Sequence, residues 1–93
     1  MKAISRTVVP IKPGKKSDAE AFMSQKSREI SSVEGLINWG FMYTDENEIT
    51  VIAVYTNKDS AQNATKYVNE LLGEVAPLVS APPIRNIYDA QWY

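Results

Sequence analysis

The 93-residue chain has no histidine and no cysteine. Without cysteine there is no disulfide framework, no thiolate nucleophile and no zinc–thiolate site. Without histidine there is no imidazole acid–base catalyst, no serine–histidine triad and no usual haem ligand, and most transition-metal sites are excluded. Glycine is scarce: the four at positions 14, 35, 40 and 73 fall in turns or a strand and build no phosphate-cradling loop. The net charge of −1 gives no overall attraction to nucleic acid. Seven of the ten basic residues lie within the first 28 positions, where they read as solvated side chains around a turn. The opening stretch MKAISRTVVPIKPGKK lacks the apolar core of a signal peptide, and no apolar run approaches membrane-spanning length. A soluble, cytoplasmic protein is the expectation.

What is present is enough for one domain over residues 1–93, with 44% hydrophobic residues to build a core. Its most informative stretch is Gly35 to Thr56, GLINWGFMYTDENEITVIAVYT. Leu36–Thr44 and Ile49–Thr56 are rich in β-branched and aromatic residues, and Asp45-Glu46-Asn47-Glu48 between them is turn-like. A hairpin centred on that turn sets Thr44 opposite Ile49, Met42 opposite Val51 and Gly40 opposite Ala53. One face then carries Leu36, Asn38, Gly40, Met42, Ile49, Val51, Ala53 and Tyr55. The other carries Ile37, Trp39, Phe41, Tyr43, Ile52 and Val54. Neither face is polar, whereas a sheet with one wet face alternates apolar and polar residues. Helices of the same chain can cover one face only. Trp39, Phe41, Tyr43, Ile52 and Val54 would present about 500 Å² of apolar surface, or about 12 kcal/mol before the cost of association. The expected cover is a second copy of the chain, in a homodimer.

Taken in order, Ala3–Ile11 reads as a first strand ended by Pro10 and Pro13-Gly14. Ser17-Asp18-Ala19-Glu20 has the form of a capping box, opening a helix to about Ser32 with Ala19, Phe22, Met23, Ile30 and Val33 on one stripe. Lys26 falls in that stripe and is read as snorkelling to water. Asn57 caps a second helix from about Lys58 to Leu72, with Ala61, Ala64, Val68, Leu71, Leu72 and Val75 inward and Gly73 as its stop. Glu74–Ser80 adds a short helical turn, Pro82-Pro83 ends it, and Ile84–Tyr93 is a last strand. The order β-α-β-β-α-β is an α+β, ferredoxin-like arrangement: a four-stranded antiparallel sheet with two helices on one face.

Gly35-Leu36-Ile37-Asn38-Trp39, the acid-rich Asp45–Glu48 turn, Val54-Tyr55-Thr56-Asn57-Lys58 and the closing Ala81-Pro82-Pro83-Ile84-Arg85 together resemble the antibiotic-biosynthesis-monooxygenase-like family. The resemblance spans nearly the whole chain and implies a dimeric α+β barrel with two sheets face to face. Family activities include oxygenation of quinols or aromatic polyketides without a bound cofactor, and haem breakdown. The haem-degrading members use a histidine ligand, a tryptophan before it on the second helix and an asparagine on the first strand. This chain has no histidine, Ala64 near the tryptophan position and no asparagine on its first strand. The helix-borne asparagine and tryptophan of the polyketide oxygenases are echoed only by Asn63 and Tyr67, one turn apart, and their roles are not transferred. The resemblance leaves two readings. One is cofactor-independent oxygenation of a quinol or aromatic polyketide; the other is a non-catalytic dimeric barrel that binds a small apolar ligand or serves as a structural module.

Candidate site residues follow from the hairpin. Asn38 and Tyr55, opposite each other in the expected register, either satisfy one another in the core or hydrogen-bond the oxygens of a flat apolar ligand. In the second case they line a cleft between sheet and helices, with Phe22, Met42 and Tyr67 as walls. Trp39, Phe41 and Tyr43 read as interface core rather than a base-stacking platform, since Gly35–Thr44 has no basic residue. Arg6 and Arg85 have two possible partners, Asp89 or a ligand anion, and surface pairing is the plainer reading. Asp45, Glu46 and Glu48 lack the ligand spacing of a calcium loop, so no metal site and no cofactor are expected.

Overall fold

Strand β1 (Lys2–Pro10) sorts its side chains by size. Ala3, Ser5, Thr7 and Val9 point to one face and are all buried; Ile4, Arg6 and Val8 point to the other. In the computed structural model, which describes residues 1–93, the remaining elements are α1 (Lys16–Ser31), β2 (Leu36–Asp45), β3 (Glu48–Tyr55), α2 (Lys58–Asn63), α3 (Thr65–Val75) and β4 (Ile84–Ala90). A single 3₁₀ turn, Ala76–Leu78, follows α3. The four strands form one antiparallel sheet in the order β2-β3-β1-β4, and the helices cover the face that carries Ser5 and Thr7. This is the ferredoxin-like arrangement expected from the element order.

The hairpin corrects the expected faces. At the turn Asp45 pairs with Glu48, as expected, but the next aligned pair is Tyr43 with Ile49. Thr44 is therefore an extra residue, a bulge in β2. Its hydroxyl lies 2.6 Å from Glu48 Oε2 and 2.8 Å from Thr50 Oγ1, which holds the bulge across the strands. A second irregularity falls between Leu36 and Asn38. One extra residue turns every following side chain to the opposite face. Phe41 consequently stands opposite Val51 and Trp39 opposite Ala53, while Met42 meets Thr50 and Gly40 meets Ile52. Trp39, Phe41 and Tyr43 thus share the helix-covered face with Tyr55, and Asn38 and Met42 share the open face with Ile52 and Val54. The grouping of Trp39, Phe41 and Tyr43 with Ile52 and Val54 does not hold, nor does that of Asn38 and Met42 with Tyr55.

Two small buried clusters pin the helices to the sheet. Ala3, Ala53, Tyr55, Ala61 and Ala64 form one, with Trp39 and Leu36 against it. Val9, Ile11, Ala19 and Ile49 form the other, with Phe41 against it. Ile11 is 1% exposed and bridges to Val79; burying such a side chain contributes about 2 kcal/mol. Trp39 Nε1 donates to Ser31 Oγ at 3.1 Å and ties β2 to the end of α1.

The helix ends differ from expectation in detail. The capping box is not formed: α1 starts two residues early, with Lys15 at the cap position, and Ser17 lies within its first turn. Asn57 does cap α2, its Oδ1 accepting from Ser60 N at 2.8 Å. The single helix expected beyond it is broken at Ala64 into α2 and α3, and α3 runs through Gly73 to Val75. Strand β4 stops at Ala90, and the Trp92 carbonyl accepts from Lys2 Nζ at 2.7 Å. No helix is long and apolar enough to cross a membrane.

Candidate functional site

Between the sheet and the helices lies a partly open cavity of about 90 Å³ that touches both core clusters. Its floor includes Val51, Ala53 and Tyr55 of β3; its roof includes Phe22, Met23 and Ile30 of α1 and Val68, Leu71 and Leu72 of α3. At about 90 Å³ it is smaller than the roughly 150 Å³ engineered cavity that admits benzene, so a fused polycycle does not fit it as it stands.

Only Ser5, Thr7 and Arg85 break the apolar lining, and they come together. Thr7 and Arg85 are direct cross-strand partners, and Ser5 is two residues along β1 on the same face. The strand order puts these groups under the α2–α3 break. Arg85 Nη1 donates to Thr65 Oγ1 at 2.8 Å and Nη2 to the Ala61 carbonyl at 2.9 Å. No carboxylate pairs with it: the three ion pairs of the protein all involve Lys15 or Lys26. A half-buried guanidinium without a counter-ion, beside two buried hydroxyls, makes one end of the cavity an acceptor-seeking pole.

A second polar group lies in the roof. Lys26 Nζ of α1 reaches Glu74 Oε1 at 3.1 Å beyond α3's middle and Glu29 Oε2 at 3.6 Å, and stands 6.0 Å from the centre of the Phe22 ring. The hydrogen bond to Glu74 is the main cause that raises the Lys26 pKa above 10.5. The Tyr67 hydroxyl is buried with no hydrogen-bond partner. Burial, reinforced by the charge of Glu29, pushes its pKa above 10.0.

Of the residues expected at a ligand site, Phe22 and Tyr55 line the cavity. Tyr67 belongs to the roof but not to the cavity lining. Asn38 and Met42 lie across the sheet, where Ile4, Trp39, Gly40, Phe41, Ile52, Val54 and Trp92 complete an open hollow of about 620 Å³. Of the expected interface set, Ile52 and Val54 face that hollow, Trp39 and Phe41 border it, and Trp39 also lines the cavity on the other side of the sheet. Tyr43 packs edge-on against Phe41 at 5.9 Å, with Lys16 Nζ 5.3 Å from its ring centre. Arg6, on the open face, stacks over Tyr88 at 5.8 Å rather than pairing with an acid. The acidic turn is internally satisfied, Asp45 Oδ1 accepting from Glu46 N at 2.7 Å, and no group of three acidic side chains converges to hold a metal. Ser5 and Thr7 were missed from the sequence. Their signal is the run of small and hydroxyl-bearing residues on one parity of β1, which leaves space above the sheet.

No family model and no curated protein sequence matches the chain. Solved structures do. A conserved protein from Methanosarcina mazei Go1 superposes with a TM-score of 0.83 at 15% identity, covering 98% of this chain and 94% of that one. A candidate antibiotic biosynthesis monooxygenase from Nitrosomonas europaea gives 0.82 at 12% identity, over 98% and 91%. A mutant of SnoaB, a cofactor-independent oxygenase from Streptomyces nogalater, gives 0.77 at 11% identity, over 99% and 95%. At these identities the likeness is one of fold: the chain has the fold of the antibiotic-biosynthesis-monooxygenase-like structures over nearly its whole length.

Proposed function

We propose that the protein is a homodimer that binds a single-ring aromatic anion, a phenolate or enolate, in the sheet–helix cavity and oxygenates it without a bound cofactor. The observation that carries this reading is Arg85, a cation with no acidic partner at the only polar end of an apolar cavity. An aromatic anion satisfies both halves of such a site. Its ring replaces water against Phe22, Leu71 and Val51, and its oxygen accepts from the guanidinium, with the Thr7 and Ser5 hydroxyls alongside. Fixed donors in a dry site stabilise negative charge more than water can. In this chemistry the substrate anion is itself the reductant of oxygen: a ring carbon gains one oxygen atom and the other leaves as water. The protein then supplies orientation, an oxyanion partner and exclusion of water. The fold shared with a cofactor-independent oxygenase supports the reading.

The dimer rests on the open face. Met42, Ile84, Tyr88 and Trp92 are 48%, 62%, 46% and 42% exposed there. Four strands at about 4.8 Å spacing and about 25 Å length offer about 500 Å² of sheet, which the C-terminal segment extends toward the roughly 800 Å² per partner of a stable interface. The hollow over Gly40, where a Cβ would meet nothing within 4 Å, is room for the partner's side chains.

A non-catalytic barrel holding the same ligand is the second reading, favoured by the small volume of the cavity. Oxygen uptake with a panel of single-ring quinols and phenols separates the two. Turnover reduced at least about tenfold in Arg85→Gln, from loss of one charged donor, is expected. Binding without oxygen uptake above the blank leaves the second reading; no binding at all overturns both.

A further inference from the structure

We infer that Thr65 is a positioning residue that fixes the Arg85 guanidinium toward the cavity and so gives the site its preference for an anion over a neutral molecule of the same shape. This rests on the binding reading above. The hydroxyl of Thr65 does nothing for its own helix, because α3 starts without any side-chain cap bond. It accepts instead from Arg85 Nη1 at 2.8 Å. On the other side of the α2–α3 break, the Ala61 carbonyl accepts from Nη2 at 2.9 Å. The break at Ala64 thus presents two acceptors to one fork, one from each helix. An arginine side chain otherwise samples many rotamers, and ordering it lowers the binding affinity of whatever it contacts. Anchored at both Nη atoms, the planar fork is pre-organised. Two of its five N–H groups are engaged and three remain for a ligand. Neither anchor carries charge, so the positive charge stays uncompensated; a carboxylate at position 65 would have held the fork and cancelled its charge.

The alternative is that Thr65 only stabilises the break, and that alternative moves different quantities. The test is a titration of the full-length protein, followed by NMR, with benzoate and with its neutral isostere benzamide, on the wild type and on Thr65→Val, Thr65→Ala and Thr65→Ser. Loss of one charge-assisted anchor is expected to weaken benzoate binding about fivefold to tenfold in Thr65→Val and Thr65→Ala. Benzamide is expected to change by less than about twofold, and Thr65→Ser to retain most of the benzoate preference. Equal weakening of both probes, or an unchanged ratio in a folded variant, overturns the inference while the binding reading stands. Loss of the native circular dichroism in both Thr65→Val and Thr65→Ala makes the residue structural and also overturns it. A wild type that binds neither probe overturns the binding reading and this inference together.

Discussion

Tyr67→Phe tests the roof of the cavity on one atom. The hydroxyl of Tyr67 is buried and has no partner in the protein. A buried polar group left without a hydrogen bond costs about 1–3 kcal/mol, and an apolar replacement of the same shape removes that cost. Taking the low end, Phe at this position stabilises the fold by about 1 kcal/mol, which for a domain of this size raises Tm by about 4–8 °C. Alkaline pH separates this effect from a general change in packing. Burial raises the phenol pKa above 10.0, so the folded state holds the proton more tightly than the unfolded chain does. The associated stability is fully present below pH 10 and is lost as pH rises through the folded-state value. Lys26, raised above 10.5 chiefly by its hydrogen bond to Glu74, titrates in the same sense and loses its contribution at still higher pH. The variant lacks only the first of these losses, so its advantage widens above pH 10. Thermal unfolding followed by circular dichroism at pH 7 and pH 10.5 reads both. A lower Tm at pH 7 in the variant refutes the reasoning, because it shows that the hydroxyl gains more from a partner than it loses by burial.

Two further outcomes test the dimer and the entry to the hairpin. Ile52→Asp puts a charge at the centre of the open face without touching the cavity, and sedimentation velocity at micromolar concentration is expected to show a monomer where the wild type is a dimer; a variant that sediments as the wild type does, or a monomeric wild type, removes the interface proposal. Gly35→Ala is expected to lower stability by about 1–3 kcal/mol, since φ there is +81° and a Cβ would stand 2.5 Å from Ser60 Oγ at the start of α2; a change in Tm below about 2 °C refutes that account.

Most of the element order was legible because hydropathy and turn chemistry carry it. The periodic stripe of α1, the Asn57 cap and the two runs flanking Asp45–Glu48 are all signals of one chain segment about itself. Arg85 was not readable in the same way. Its charge was visible, but its role depends on which parity of β4 lies under the helices and on a helix break three residues past Ala61. The break has no proline or glycine to announce it. Ala61 and Ala64 are both buried at 0% and 5% exposure, and the Ala61 carbonyl, in α2, accepts from a side chain 24 residues away.

The facing of the hairpin failed for a sharper reason. Register is strongly specified when one face of a strand is greasy and the other polar, because a one-residue slip then exposes the core. In β2 and β3 both faces are apolar, so the very feature that suggested a second copy removed the information that would have set the register. What sets it is Thr44. Its hydroxyl lies within hydrogen-bond distance of both Glu48 and Thr50, and the bulge it anchors moves Trp39 beneath the helices and Asn38 out to the open face. Two contacts of one hydroxyl near a solvent-exposed turn thus decide, through parity alone, which residues of β2 can reach a ligand in the cavity. A hydropathy pattern is blind to such a contact, since threonine at that position is an ordinary strand residue. The placing of Arg85, for which surface pairing was the plainer expectation, does not depend on that register: β4 pairs with β1, not with the hairpin, and the faces of β1 are set independently by its alternation of small and large side chains.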